Sequence, residues 1–183
     1  MSEYAEVRFE PRKILLPEGG HALLKIMEGY EVPAVRKAVE ESMGISYDHR
    51  KIGEGILENL MKFEEDYENL LFLICRENER ILGVTNGEFV GIEDEIYGLS
   101  LYTMNTSGVR GIGRKLFEAK VDVFFSLPEV EIIYALPSSQ KSRKILENTG
   151  FRRKWRGKYH AIKPYKPYLL TREVYEGLRA GLI

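Results

Sequence analysis

A glycine-rich turn between a predicted strand and a predicted helix constrains this chain more than any other feature. The run 99–116 reads LSLYTMNTSGVRGIGRKL, with Gly108, Gly111 and Gly113 in its turn. Its first part alternates apolar with small or polar residues, as a half-buried strand does, and its last part opens an amphipathic helix. Glycines at a helix start let a ligand approach first-turn N–H groups that have no partner inside the helix. The turn is therefore either an anion site or an ordinary glycine-rich connection.

Two common phosphate-binding patterns do not fit this turn. The dinucleotide pattern G-x-G-x-x-G requires a third glycine where the chain has Leu116. The P-loop pattern requires Lys and then Ser or Thr after Gly113, where the chain has Arg114 and Lys115. The sequence therefore favours neither NAD nor a nucleoside triphosphate as the ligand.

The turn instead resembles motif A of the GNAT family of N-acetyltransferases, whose pattern is Gln/Arg-x-x-Gly-x-Gly/Ala at the entrance to a helix. Residues 108–113 occupy that frame, and the wording V-R-G-x-G is most similar to the histone acetyltransferase branch. Gly108 stands where the family has Gln or Arg, but backbone amides can still hold the pyrophosphate of coenzyme A. The resemblance implies acetyl-CoA as co-substrate, bound at Gly108, Val109, Arg110, Gly111, Ile112, Gly113 and Arg114.

A second frame is similar to motif B of the same family, Asn-x-x-Ala-x-x-x-Tyr-Glu-x-x-Gly-Phe. Its last three named positions are kept, and its first three hold other residues: the chain has Ser139, Ser142, Leu146, Glu147, Gly150 and Phe151. A Gly-Phe pair that closes a helix is also common as a cap with a hydrophobic contact. The resemblance implies that Ser139 and Ser142 lie near the pantetheine arm of the co-substrate.

Hydrophobic periodicity and turn residues predict alternating strands and helices along the chain. The predicted strands are 7–9, 14–16, 22–27, 70–76, 81–90, 95–104, 130–136, 155–162 and 168–174. The predicted helices are 33–43, 52–67, 114–127 and one that begins at Ser138 or Ser139 and ends at Gly150. The apolar, β-branched strand 130–136 is expected to pair in parallel with 95–104 across a helical crossover.

This order of elements resembles the GNAT fold over roughly residues 22–174. The resemblance implies an α/β (α+β) domain with a mixed central sheet of about seven strands and four flanking helices. A splayed strand pair in that sheet would hold acetyl-CoA. We expect one such domain over 1–183, with 1–20 as an N-terminal extension and 151–183 as C-terminal strands.

Composition is that of a globular protein: 183 residues, 44% hydrophobic and 30% charged. The net charge of −1 gives no global attraction for nucleic acid or a membrane. The lone cysteine, Cys75, lies in an apolar run and fits a reducing compartment. No apolar run reaches the ~20 residues of a membrane span, and the N-terminus lacks a signal-peptide pattern. We expect a cytoplasmic protein without a metal site, since neither His21 nor His49 has a second ligand at helical spacing.

Acetyl transfer to an amine needs a neutral amine, a donor to the thioester oxygen and a proton for the leaving thiolate. The resemblance implies that the backbone N–H groups of Leu101, Tyr102 and Thr103 meet the thioester and pantetheine. The resemblance to the histone acetyltransferase branch implies a glutamate that acts as general base, and Tyr97 occupies its position here. Glu95 lies two residues earlier on the same strand face. We expect the base route along Glu95 and Tyr97.

The thiolate could be protonated by water or by a neighbouring tyrosine, because Leu146 occupies the place of the motif B tyrosine. Tyr97, Tyr102 and Tyr134 are the candidates.

The expected acceptor is a primary amine of a small molecule or a protein. Four acidic residues near one turn would suit a cationic acceptor: Glu88, Glu93, Asp94 and Glu95. Charged residues at a turn are, however, most often a solvated edge.

Two other classes of function stay open. Departures at Gly108, Tyr97 and Leu146 suit a catalytically silent acyl-CoA sensor, and a basic, aromatic stretch at 152–160 suits a nucleic-acid-binding module. A homodimer is possible.

Overall fold

The computed structural model describes residues 7, 9–65, 69–92, 95–137, 139–153 and 167–182. Within them, eight strands form one sheet: β1 (Arg12–Leu15), β2 (His21–Ile26), β3 (Leu70–Glu77), β4 (Arg80–Ile92), β5 (Glu95–Asn105), β6 (Val130–Ala135), β7 (Arg152–Arg153) and β8 (Tyr168–Thr171). Five α-helices accompany them: α1 (Val32–Met43), α2 (Tyr47–Glu64), α3 (Ile112–Ser126), α4 (Gln140–Asn148) and α5 (Arg172–Arg179). A 3-10 helix, Gly29–Glu31, precedes α1.

The sheet is mixed, and its spatial order is β1-β2-β3-β4-β5-β6-β8-β7. Strands β1 to β5 pair with their sequence neighbours and are antiparallel. Strand β6 follows the helical crossover α3 and pairs with β5 in parallel, as predicted. Strands β8 and β7 complete the far edge in antiparallel pairings.

Helices cover both faces of the sheet, because successive residues of a strand point to opposite faces. Leu71, Leu73 and Cys75 of β3 belong to the core cluster that contains α3. Phe72 and Ile74, which alternate with them, belong to the cluster that contains α1 and α2. Burial raises the pKa of the Cys75 thiol to about 11, so this residue acts as a small core hydrophobe.

Local capping explains where two helices begin. Helix α2 begins at Tyr47, five residues before the predicted start, because the Ser46 hydroxyl accepts a hydrogen bond from the His49 N–H. Helix α1 has Pro33 in its first turn, where the missing N–H costs nothing. The sequence therefore predicted the apolar part of each helix and missed the polar first turn of α2.

The C-terminal prediction was partly wrong. The strand predicted at 168–174 ends at Thr171, whose hydroxyl accepts a hydrogen bond from the Val174 N–H and caps α5. Arg172 then fixes α5 by donating to the backbone oxygens of Phe125, Leu127 and Val130. The strand predicted at 155–162 lies outside the described residues.

Three smaller corrections concern the counts and the N-terminus. The described residues form eight strands and five α-helices, where the sequence predicted about seven and four. Residues 12–15, within the expected N-terminal extension, form the edge strand β1 and pair with β2, in overlap with the strand predicted at 14–16. Val7 and Phe9 are not in a strand; both pack against the α3 side of the core.

Candidate functional site

The sheet opens between β5 and β6 at the end of β6. The parallel pairing runs from Ile96 opposite Val130 to Ser100 opposite Ala135. Strand β6 ends at Ala135, whereas β5 continues to Asn105 with β4 as its neighbour on the other side. Among the described residues, the last part of β5 thus has no strand beside it on the β6 side. This is the splayed strand pair that the sequence predicted.

A β-bulge lies where β5 leaves β6. Thr85 of β4 pairs with Thr103 of β5, and Gly87 pairs with Ser100, so the two residues 101 and 102 oppose one residue of β4, Asn86. The Asn86 carboxamide oxygen accepts a hydrogen bond from the Tyr102 N–H at 3.1 Å. Of the three N–H groups that the sequence assigned to a thioester, that of Tyr102 is therefore already bound within the protein.

The bulge also changes which side chains share a face. Leu101 packs in the cluster of α1 and α2, and the Tyr102 ring contacts the position where a Cβ of Gly55 in α2 would stand. Thr103 points to the other side, where its hydroxyl lies 2.6 Å from that of Thr85. The face that carries Glu95 and Tyr97 therefore does not continue from Leu101 to Thr103, because the extra residue of the bulge puts Tyr102 beside Leu101 instead.

The glycine turn follows β5 directly and is organised by Asn105. Its carboxamide oxygen accepts hydrogen bonds from the N–H groups of Ser107 at 3.2 Å and Gly108 at 3.0 Å. Its carboxamide nitrogen donates to the Val109 carbonyl oxygen at 2.7 Å. The Val109 N–H in turn donates to the Ser107 hydroxyl at 3.2 Å. The N–H groups of Gly108 and Val109 thus hold the turn and do not face solvent as free donors.

The donors that remain lie at the start of α3. Gly111 is the N-cap with a φ of +90°, a left-handed conformation that favours glycine, and no side chain caps the helix there. The first-turn N–H groups of Ile112, Gly113 and Arg114 have no partner within the helix. A Cβ at Gly108, Gly111 or Gly113 would meet no atom within 4 Å. The helix start is therefore open and has no side-chain cap, and exposed helix N-termini of this kind bind anions.

Two arginines and a buried isoleucine adjoin this helix start. Ile112 is buried in the core and anchors the first turn of α3. Arg110 and Arg114 are exposed on either side of it, and the Arg114 Nε donates to the Glu118 carboxylate at 2.7 Å. The positive end of the helix dipole and these guanidinium groups favour a negatively charged ligand.

The structure brings the two predicted catalytic residues together. The Tyr97 O–H donates a hydrogen bond to the Glu95 carboxylate. Tyr97 is buried and its ring centroid lies 5.8 Å from that of Tyr134, whereas Glu95 is exposed. A Cβ at Gly98 would meet Phe124 of α3, so Tyr97 lies on the opposite face, the one that carries α1 and α2.

The motif B residues make contacts within the protein. Ser139 caps α4: its hydroxyl accepts from the Ser142 N–H at 3.1 Å, and the Ser142 hydroxyl accepts from the Ser139 N–H at 2.9 Å. This capping box begins just after the end of β6, beside the opening in the sheet. Leu146 is buried in the core with α3. Glu147 accepts a hydrogen bond from the Tyr168 hydroxyl at 3.0 Å.

Two residues at the bulge were missed by sequence reasoning. Asn86 is fully buried, and its carboxamide nitrogen has no hydrogen-bond partner among the described residues. Lys120 of α3 is also fully buried, and burial lowers the pKa of its ammonium to about 7. The signal for Lys120 in the sequence was weak, because Glu118 and Asp122 also interrupt the apolar residues of positions 116–125.

Several other predicted features lie partly outside the described residues. These include Glu93, Asp94 and most of the basic stretch 152–160, of which Arg152 and Arg153 are described, exposed and in β7. Within the described part of the chain, no helix is long and apolar enough to cross a membrane. The same residues contain no group of three or more His, Cys, Asp or Glu side chains that could hold a metal ion.

No protein-family model and no curated protein matches the sequence. Solved structures do match the fold. The GNAT domain of PAT from S. lividans is 12% identical, with a TM-score of 0.63, over 88% of this chain and 96% of that one. RimJ from Mycobacterium smegmatis, in complex with CoA-disulfide, is 15% identical, with a TM-score of 0.56, over 93% and 94%. A GNAT family acetyltransferase from Brucella melitensis, in complex with acetyl-CoA, is 17% identical, with a TM-score of 0.58, over 83% and 88%. These likenesses confirm the predicted GNAT fold.

Proposed function

We propose that the protein is an acetyl-CoA-dependent N-acetyltransferase that transfers the acetyl group to a primary amine within a ternary complex. The observation that carries the proposal is the open edge of β5, which runs directly into an uncapped helix start with three unobstructed glycines. A fold shared with acetyltransferases, one of them solved with acetyl-CoA, supports the same ligand. An open strand edge that leads to an anion site would suit a pantetheine arm joined to a pyrophosphate.

The chain's own residues divide into two binding parts. The N–H groups of Ile112, Gly113 and Arg114 would hold the pyrophosphate, with Arg110 supplying further positive charge. The backbone of β5 from residue 101 onward would contact the pantetheine arm and the thioester. The N–H of Tyr102 is not available for this purpose, because it donates to Asn86.

The acceptor amine must lose a proton before it attacks the thioester carbon. A lysine-type amine titrates near ~10.4, so it is largely protonated at neutral pH. The exposed Glu95 carboxylate, held by the Tyr97 hydroxyl, would take that proton, directly or through water. The new C–N bond then forms as the C–S bond breaks, and the thiolate of coenzyme A leaves and takes up a proton.

Calorimetry with acetyl-CoA tests the binding step. We expect binding by the native chain and loss of binding in Gly111→Glu, which places bulk and negative charge at the helix start. The matched control is Gly181→Glu, a glycine that also has a positive φ, +69°, and open space around it. The proposal is wrong if acetyl-CoA does not bind at millimolar concentration, or if Gly111→Glu binds it as the native chain does.

Turnover tests the chemistry. In Glu95→Gln we expect a rate loss of roughly 10- to 1,000-fold, within the usual range for a general base, with nearly unchanged acetyl-CoA affinity. The limb of the pH-rate profile that reports the base should also disappear. Glu41→Gln, an exposed carboxylate of α1, is the control and should change neither quantity. An unaltered pH-rate profile in Glu95→Gln would show that this carboxylate takes no part in the reaction.

A catalytically silent acyl-CoA sensor is the second candidate. It is favoured by one observation, the burial of Leu146 in the core at the place of the family's tyrosine acid. Release of free coenzyme A across a panel of amines separates the two functions. Tight acetyl-CoA binding without acceptor-dependent thiol release would favour the sensor.

A further inference from the structure

Lys120 is a buried cation whose described partners are all uncharged. Its side chain is 0% exposed. Its Nζ donates to the Asn86 carbonyl oxygen at 2.9 Å, and it lies 3.4 Å from both the Tyr102 carbonyl oxygen and the Thr103 hydroxyl. The Phe117 ring centroid is 5.5 Å away on the same helix. An ammonium has three donors, and these three acceptors match them in number.

These acceptors are the residues that form the bulge. Asn86 is the single β4 residue opposite the extra residue of β5, and Tyr102 and Thr103 end the bulge. Two sets of hydrogen bonds fix the backbone of the bulge. Lys120 binds it from the α3 side, and the Asn86 carboxamide oxygen accepts a hydrogen bond from the Tyr102 N–H. The Thr85 hydroxyl adds a third contact by donating to the Tyr102 carbonyl oxygen at 2.9 Å.

Packing alone does not require a lysine at this position. Burial of an ammonium without a counter-charge costs free energy, and an unbranched apolar side chain such as methionine would fill a similar volume without that cost. What the ammonium adds is a set of charge-assisted hydrogen bonds to two backbone carbonyls that adjoin the opening in the sheet.

We propose that Lys120 is a positioning residue of the acetyl-CoA site, which holds the β5 bulge in the conformation from which the backbone around residues 101–103 meets the pantetheine arm and the thioester. This inference rests on the proposed function. Lys120 itself touches neither ligand nor reacting atoms.

The hydrogen bonds from Lys120 to the bulge depend on pH. Burial lowers the pKa of Lys120 to about 7, and no charged group contributes to that shift. The groups that face its Nζ are the carbonyls of Asn86 and Tyr102 from β4 and β5, the Thr103 hydroxyl, and the Phe117 ring of α3 itself. The titratable phenol of Tyr102 lies on the other face, against Gly55. Above this pH the neutral amine has only two donors and no charge, so its hydrogen bonds to the bulge weaken.

Calorimetry at pH 6 and pH 8.5 tests the inference with acetyl-CoA as the probe. We expect the native chain to bind more weakly at pH 8.5, by roughly tenfold, the range of a single charge-assisted hydrogen bond. Lys120→Met should bind weakly at both pH values. Lys25→Met removes the other lysine that is buried among the described residues, on β2, and should keep the native pH dependence. A Lys120→Met protein with native affinity and native pH dependence overturns the inference.

A second measurement needs no variant. Binding and protonation are linked, so if protonated Lys120 favours the bound state, saturating acetyl-CoA must raise its pKa by about one unit for a tenfold affinity ratio. The Lys120 side-chain carbon resonance, followed by NMR against pH with and without acetyl-CoA, reports this directly. An unchanged midpoint in a chain that binds acetyl-CoA overturns the inference.

If the native chain does not bind acetyl-CoA, the proposed function is wrong, and the role of Lys120 in the bulge is tested separately. The protection of the Tyr102 amide against hydrogen exchange, corrected for the intrinsic exchange rate at each pH, should fall above neutral pH in the native chain and not in Lys120→Met, and an unchanged protection overturns the structural part.

Discussion

Gly113 offers a test in which stability and binding should move in opposite directions. It is the second residue of α3, its φ lies outside the left-handed region, and an added Cβ would meet no atom within 4 Å. Gly113→Ala therefore introduces neither strain nor a clash into the free protein. It removes conformational freedom from the unfolded chain, so the free energy of unfolding should rise by about 0.5–1 kcal/mol.

The same methyl group should weaken acetyl-CoA binding. Under the proposed function, a phosphate oxygen occupies the space in front of the Gly113 N–H. A hydrogen bond to a charged group contributes about 1.5–3 kcal/mol, so its loss corresponds to roughly 10- to 150-fold in affinity. Thermal unfolding should show a melting temperature higher by about 1–4 °C, and calorimetry should show the weaker affinity.

Gly29 provides the matched control for this substitution. It begins the 3-10 helix, its φ is also outside the left-handed region, and a Cβ there would meet nothing within 4 Å. Gly29→Ala should therefore raise stability without any change in affinity. If Gly113→Ala binds acetyl-CoA as tightly as the native chain does, the ligand does not approach this turn, and the open glycines do not form its pyrophosphate site.

Two further predictions concern stability. The free energy of unfolding should rise with pH between about 7, the pKa of Lys120 in the folded chain, and 10.5, its ordinary value, because in this window the unfolded chain holds a proton that the folded chain has lost. The slope should reach at most about 1.4 kcal/mol per pH unit, and urea unfolding of Lys120→Met should lack this component, whereas an unchanged slope would contradict it. Gly150→Ala should destabilise by about 1–3 kcal/mol, because Gly150 has a φ of +93° and a Cβ there would collide with Leu178 of α5. Gly181→Ala, with a positive φ but open space, separates strain from collision in the same unfolding assay.

The central strands and the crossover could be predicted because their signals are local. Apolar runs separated by a short polar turn define β3 and β4, and the turn at Asn78 has the positive φ, 52°, that a tight connection accepts. The glycine turn was found from residue type alone, and Gly111 adopts a φ of +90°, a conformation that favours glycine. Each of these features is encoded within about ten residues.

The features that sequence reasoning missed depend on residues far apart in the chain. The bulge arises from the register between Asn86 and the pair Leu101 and Tyr102, and nothing within β5 reveals that its alternation slips by one residue. The partners of Lys120 are 17 to 34 residues away, and Glu118 and Asp122 are charged residues of the same helix, so the helix sequence alone could not reveal the role of Lys120. Helix α5 was missed because Val174 and Tyr175 favour strands, whereas the Thr171 cap decides the outcome.

The burial of Leu146 bears on how an acetyltransferase built on this chain would complete its proton transfers. A tyrosine at this place would carry its hydroxyl into the apolar core beside α3, not toward the opening between β5 and β6. The acid for the thiolate would then come from the sheet or from water. Tyr102 is 37% exposed and adjoins the opening, whereas the Tyr97 hydroxyl is already engaged by Glu95. Under the proposed function, base and acid would thus both belong to β5, with the bulge held by Lys120 setting the distance between them.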